Sequence, residues 1–249
     1  MSVDPKESPT LAREPIVRTQ VVRSAATNID TSNTSPEELE RLNQIHDSYK
    51  PIWLTETIQI GPVLPSDKDA LLEHLNDPRI YQWLLGPPNP YTPADADFWI
   101  NSRALRMTEK GMPLNFSIRD MTRSGKVIGS IGVSNDSDDK LDGDDTGYWL
   151  ASEYHGQGLM AKALKMILWK VSVMEVGKRK FNGRAFEGNW ASRKTMEKVG
   201  FVLQPDIHDK RIKDNKTVNL WTLRLYLTEE DVANHVPVAE ATPLPSLVQ

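Results

Sequence analysis

No cysteine occurs in the 249 residues, which excludes disulfides, thiolate metal sites and a cysteine nucleophile together. A surplus of positive charge is missing as well. Thirty Lys and Arg face 34 Asp and Glu, for a formal net charge of −4, so the chain lacks the basic footprint of a nucleic-acid binder. No apolar run approaches the roughly 18 residues that a membrane span needs, and the opening MSVDPKESPT contains no apolar signal core. The histidines His46, His74, His155, His208 and His235 show neither H-E-x-x-H nor another paired spacing, so no metal site is expected. What remains is a chain that is 39% hydrophobic, long enough for one domain or two small ones without covalent staples. It is expected to be soluble and cytoplasmic.

The first 34 residues are polar and without sustained period. A short helix is expected over 36–49, with Ser35 as N-cap, Pro36 at the first helical position and Glu37 and Glu38 at the positive end of the dipole. Such a helix could pack on a second subunit, which makes a homodimer an expectation. The tail from Glu229 holds Pro237, Pro243 and Pro245 and reads as an extended, weakly packed end. The division expected is an extension over 1–50, a domain over 51–228 and a tail over 229–249.

Between the ends the periods alternate. Residues 57–60 read as a strand and 67–76 as a helix with Leu71, Leu72 and Leu75 on one face. Another helix starts after Thr92-Pro93. Residues 115–120 and 126–133 read as a hairpin turned through Arg123-Ser124-Gly125. An acidic loop, 136–145, precedes a strand over 146–150. Met160, Leu164, Ile167 or Leu168, Val171 and Met174 then recur every three or four residues, an amphipathic helix. A strand over 179–186 follows, then a helix capped by Asn189 and ended at Gly200, then strands over 201–203 and 219–226. The fold class expected is α/β (α+β), a mixed, mostly antiparallel central sheet flanked by helices.

The most informative stretch is Leu150-Ala151-Ser152-Glu153-Tyr154-His155-Gly156-Gln157-Gly158-Leu159-Met160-Ala161. A strand ends, two glycines permit unusual backbone angles, and a helix begins. Unpaired N–H groups at that start, with the dipole behind them, suit an anion; a plain chain turn is the bland alternative. Gly156, Gly158 and Ala161 also match the G-x-G-x-x-A dinucleotide fingerprint, with Glu187 as the later ribose-binding acid. Topology argues against that reading, because the turn follows about 150 residues dominated by hairpins.

Gly147-Tyr148-Trp149-Leu150, then His155 to Ala161, then Asn189-x-x-Ser192, then Glu197-Lys198-x-Gly200-Phe201 stand in an order and spacing that resembles the GCN5-related N-acetyltransferases (GNAT). The likeness is to the branch containing ribosomal-protein alanine and serine acetyltransferases, and it covers about residues 57–228. Two positions depart from the family pattern: His155 stands where Arg or Gln is usual, and Met160 where Gly or Ala is usual.

The resemblance implies the GNAT fold, acetyl-CoA as donor and a primary amine as acceptor. The acceptor is expected to be a small amine such as an amino sugar or polyamine, with the α-amine of a protein N-terminus as the alternative. A non-catalytic acyl-CoA-binding module is a further alternative. The absence of cysteine and of a G-x-S-x-G elbow disfavours an acyl-enzyme, leaving direct attack in a ternary complex. By resemblance, the strand ending at Leu150 splays from its neighbour, and the pantetheine arm pairs with backbone groups of Trp149, Leu150 and Ala151. The pyrophosphate rests on the amides of His155, Gly156, Gln157, Gly158, Leu159, Met160 and Ala161. Asn189 is either a local cap or a pantetheine contact. Ser192 is either an ordinary serine or the donor to the departing thiolate. Glu187 and Asp145 are the carboxylates expected to border the cleft; each is a candidate base acting through water or a solvated loop acid, with Glu187 favoured. The acidic loop reads as a hydrated turn or as a field that attracts cations. Trp83, Tyr91 and Trp99 read as core or as walls of an acceptor pocket.

Overall fold

A computed structural model of the chain describes residues 35–101, 111–134 and 142–247. Its strands are β1 (Ile52–Trp53), β2 (Ile58–Pro62), β3 (Asn115–Asp120), β4 (Lys126–Ser134), β5 (Asp144–Leu150), β6 (Lys180–Phe186), β7 (Val202–Leu203), β8 (Asp209–Lys213) and β9 (Lys216–Tyr226). They form one sheet ordered β1-β2-β3-β4-β5-β6-β9-β7, with β8 laid on β9. Every pairing is antiparallel except that of β5 with β6. This is the mixed, mostly antiparallel sheet expected from the pattern. β1 and β8 are additions to it.

The β3–β4 hairpin follows its turn chemistry. Ser124 and Gly125 take left-handed φ values of 54° and 71°, and the Asp120 carboxylate accepts the Thr122 N–H at 2.9 Å, an Asx-type turn.

Helices cover both faces. The helices are α1 (Pro36–Asp47), α2 (Lys68–Leu75), α3 (Pro78–Tyr81), α4 (Pro93–Trp99), α5 (Leu159–Met166), α6 (Trp190–Val199) and α7 (Glu229–Ala233). Consecutive strand residues point to opposite faces. Trp149 meets His74 of α2, with ring centroids 5.3 Å apart, whereas Tyr148 meets Ser192 of α6. So α2 and α6 lie on opposite sides of β5. The larger apolar cluster gathers Ile118, Ile131, Phe181, Leu223 and the inner side of α5. A smaller one gathers Leu71, Leu75, Tyr91, Ala96 and Ile100, with Trp99 and Trp149 against it.

Three expectations are corrected. The helix after Gly158 does not remain α-helical to Met174: from Ile167 to Glu175 it is a π-helix, closed by Val176 N–H to Val171 O at 3.0 Å. The wider turn shifts the phase of the apolar stripe, and Met174 is 64% exposed. The α1 helix keeps its Ser35 cap, with Glu38 N–H donating at 3.2 Å, but ends at Asp47, and Leu42 and His46 are buried. The tail is docked rather than loose. Ala241 N–H donates to Trp53 O and Leu244 N–H to Glu56 O, each at 3.0 Å. Glu240 pairs with Lys170, and His235 stacks on Trp169 at 3.5 Å between centroids. Nor is the tail extended throughout: it opens with α7, capped by Thr228, and only the stretch from His235 to Leu244, without helix or strand, runs out past β1.

Candidate active site

β5 and β6 start as a parallel pair, Asp144↔Phe181, Asp145↔Asn182 and Thr146↔Gly183, and the ladder stops there. Both strands continue, β5 to Leu150 and β6 to Phe186, so they diverge. On its other edge β5 stays paired with β4 through Leu150. Ala151 N–H donates to Ile128 O at 2.7 Å. By strand alternation the backbone groups of Tyr148 and Leu150 therefore turn away from β4, into the gap. Gly183 lets α6 pack closely on β6 where the ladder ends, because a Cβ there would collide with the Met196 sulfur of α6. The His155 Nε2 lies 2.8 Å from the Leu150 carbonyl oxygen, so the Nε2-protonated ring donates to the same free edge and ties the following loop to it.

Beyond Ala151 the chain makes a 3-10 turn, Ser152–Tyr154, and then passes Gly156 and Gly158 at φ 76° and 74°. Gly158 is the N-cap of α5 and supplies no side-chain cap. A Cβ at either glycine would meet nothing within 4 Å; what requires glycine is the left-handed backbone, not space. Gln157 turns back to the Glu153 carbonyl at 3.1 Å. The first-turn amides around Leu159, Met160 and Ala161 therefore face outward with a helix dipole behind them, chemistry that fits a diphosphate. Lys162 is turned away, its ammonium held by the Leu54 carbonyl.

Across the gap stands the first turn of α6. Asn189 caps it, its Oδ1 accepting from Ser192 N–H at 3.1 Å. The Ser192 hydroxyl lies 3.0 Å from the Tyr148 hydroxyl, whose single proton is also within reach of the Ser192 carbonyl oxygen at 3.1 Å. Burial pushes the Tyr148 phenol up to about 12. Pairing of Tyr148 with Ser192 was not foreseen, since 44 positions separate them and neither residue carries a local sign of the other.

The two carboxylates lie in different settings. Asp145 accepts from Arg184 at 2.8 Å, and Arg184 also pairs with Asp209 at 2.8 Å. It is thus held in a bridged, partly buried group on the α2 face. Glu187 is exposed at the end of β6, its Oε2 accepting from Asn219 at 3.0 Å. Gly147, between Asp145 and Trp149, has open space where a Cβ would stand. Of the three aromatics, Tyr91 is buried and Trp99 partly so, as core. Trp83 is 38% exposed and edge-on to Phe186 at 6.4 Å. Much of the acidic loop, 135–141, lies outside the described residues. Its end is paired, Asp142 with Lys180 and Asp144 with Lys178. Among the described residues no group of three or more His, Asp or Glu could hold a metal ion, and no helix is long and apolar enough to cross a membrane. A hollow of about 430 Å³ lies elsewhere, between α2 and the β3–β4 turn, lined by Asp67, Glu73, Arg119 and Lys126 among others.

The site thus lies in a mixed α/β sheet whose one parallel pair opens beside a glycine-turned helix start. A family profile described as an acetyltransferase (GNAT) domain matches residues 58–202, and the chain belongs to that family. A Bacillus subtilis (strain 168) protein named "Putative ribosomal N-acetyltransferase YdaF" is 26% identical over 159 residues, 63% of this chain and 84% of that one. Mycobacterium smegmatis RimJ in complex with CoA-disulfide superposes with a TM-score of 0.56 at 20% identity, over 71% of this chain and 86% of its own. Spermidine N-acetyltransferase from Vibrio cholerae, in complex with CoA and spermine, does so with a TM-score of 0.56 at 12% identity, over 72% and 99%. At such identities the structural likeness speaks for the fold.

Proposed function

We propose that this acetyltransferase uses acetyl-CoA to acetylate a small primary amine by direct attack in a ternary complex. The observation that carries the proposal is the ladder between β5 and β6, which ends at Thr146 and Gly183 while both strands run on, beside the capless start of α5. The free edge at Tyr148 and Leu150 would pair with the pantetheine arm, and a backbone N–H there would polarise the thioester carbonyl. Amides from Gly156 to Ala161 would take the diphosphate, with His155 holding the loop to the strand. Asn189 would fix the α6 turn along the arm.

The acceptor would approach from the α2 face, over Gly147, between the Trp149 indole and the Asp145–Arg184–Asp209 group. An ammonium must lose a proton before it attacks. We assign that step to Glu187, through water, because it is the solvent-open carboxylate at the cleft end. Asp145, already bridged by Arg184, would orient rather than accept. Ser192 would donate a hydrogen bond to the departing thiolate. The Trp149 ring and the bridged carboxylates Asp145 and Asp209 beside that approach would suit a small cationic amine, and the net charge of −4 gives no basic surface for a ribosomal partner. The second reading, the α-amine of a protein N-terminus, is supported by the open space over Gly147 and by the relative named for ribosomal acetylation.

Release of coenzyme A thiol, measured across amino sugars, polyamines, amino acids and N-terminal peptides, separates these readings. Glu187→Gln is expected to lower kcat about 100-fold near neutral pH, with partial recovery as rising pH deprotonates the amine unaided. Asp145→Asn is expected to act chiefly on the acceptor KM. Full activity of Glu187→Gln at every pH would remove it from the step. Coenzyme binding without thiol release for any amine would reduce the chain to a binding module.

A further inference from the structure

A serine or threonine inside a helix can turn its hydroxyl back to the carbonyl four residues earlier, as Thr195 Oγ1 does to Ala191 O at 2.8 Å. Ser192 stands in the first turn of α6, where no helical carbonyl lies four residues before it. Its N–H is taken by Asn189 at 3.1 Å, and its hydroxyl and carbonyl are both reached by one phenol, at 3.0 and 3.1 Å. That phenol rises from the first β5 residue past Thr146 whose side chain points to α6, where the ladder has just opened.

We infer that Tyr148 is a positioning residue for the transfer step: its hydroxyl donates to Ser192 Oγ and so turns the serine proton into the gap between β5 and β6, toward the leaving sulfur. The inference rests on the acetyl-transfer reading above. Tyr148 has one proton and two acceptors. Donation to the Ser192 carbonyl leaves the serine proton resting on the phenol oxygen; donation to Oγ frees it for the thiolate. No proton needs to leave the tyrosine. A thiol ionises at roughly 8.5, far below a phenol raised to about 12, so Tyr148 stays protonated through the cycle. The nitrogen sheds two protons: the first passes through water to Glu187 before attack, and the second, lost after attack, is taken up by the departing thiolate as the C–S bond breaks, while Ser192 meets the charge on sulfur with a hydrogen bond and keeps its own proton.

The test is steady-state kinetics of Tyr148→Phe, Ser192→Ala and the double variant, with acetyl-CoA and the amine giving most thiol release. Tyr148→Phe is expected to lower kcat about tenfold while the KM for acetyl-CoA stays within about twofold. The double variant is expected to be no slower than Ser192→Ala alone. A phenol that merely props the fold would slow the enzyme equally with or without Ser192. Tyr148→Met serves as a second donor-free replacement should the phenylalanine variant be poorly folded. Wild-type rates for Tyr148→Phe, or losses that multiply in the double variant, would overturn the role of Tyr148 while leaving acetyl transfer in place. A wild-type protein that binds no coenzyme by calorimetry would overturn both.

Discussion

Replacing Gly158 by valine is expected to weaken coenzyme A binding by at least about 100-fold while the protein stays folded. Gly158 stands at φ 74° as the N-cap of α5, where an L-residue costs roughly 1–2 kcal/mol and a β-branched one more. No neighbour lies within 4 Å of the position a Cβ would take, so the valine meets no clash and the strain has one outlet, rotation of the loop into an extended conformation. That rotation turns the amides of Leu159 and Met160 away from the place where a diphosphate would sit. A hydrogen bond to a charged group contributes roughly 1.5–3 kcal/mol; losing two accounts for the expected factor. The loop is exposed, so the melting temperature should fall by only a few degrees. Gly147→Ala is the control. Gly147 sits in an ordinary strand conformation with open space beside it, and its backbone faces β4 rather than the gap, so calorimetry should return the wild-type affinity. Undiminished binding by Gly158→Val would show that main-chain amides at this helix start do not hold the ligand.

The parts of this molecule that were legible in advance are those governed by near neighbours in the chain. Ser35 and Asn189 announced their helices because a side-chain oxygen two or three residues ahead of a free amide is a local device. Gly200 announced the end of α6 for the same reason, with φ 107°. The β3–β4 hairpin was readable from alternation and turn residues, nearly to its bounds. The π-helical stretch was not, since its apolar spacing also fits an α-helix and only the docked geometry decides between them. β1 is two residues long, and β8 is a run of charges, Asp209-Lys210-Arg211-Ile212-Lys213, that gains its strand conformation from β9. Within the site, the glycine turn and the Ser192 helix could be read locally. The Tyr148–Ser192 contact and the Arg184 bridge between Asp145 and Asp209 arise only when elements distant in sequence are set side by side; the tie of His155 to Leu150 spans five positions and depends on how the loop between them turns.

Asp67→Ala is expected to cost about 3–5 kcal/mol. Asp67 is 3% exposed and accepts four hydrogen bonds from three residues. Arg119 donates two bonds in fork geometry, at 2.7 and 2.8 Å; Ser117 Oγ donates at 2.6 Å and Leu64 N–H at 3.0 Å. Alanine would strand a guanidinium that is itself 13% exposed, and an unpaired buried charge costs more than the intact pair contributes. Against a total stability of roughly 5–15 kcal/mol, the melting temperature should drop by about 10 °C or more. The Asp67→Leu, Arg119→Met double variant removes both charges and should recover much of the loss, which distinguishes a stranded charge from a lost scaffold. The consequence reaches the cleft. Asp67 anchors the turn that launches α2, and α2 brings His74 both to the Val127 carbonyl at 3.1 Å and to the Trp149 indole. An α2 that rocks would loosen the indole beside Gly147, so the folded fraction of Asp67→Ala should show a raised acceptor KM with little change in coenzyme affinity. A variant that melts like the wild type would mean that the Arg119 charge finds water, and that the launch of α2 does not depend on this pair.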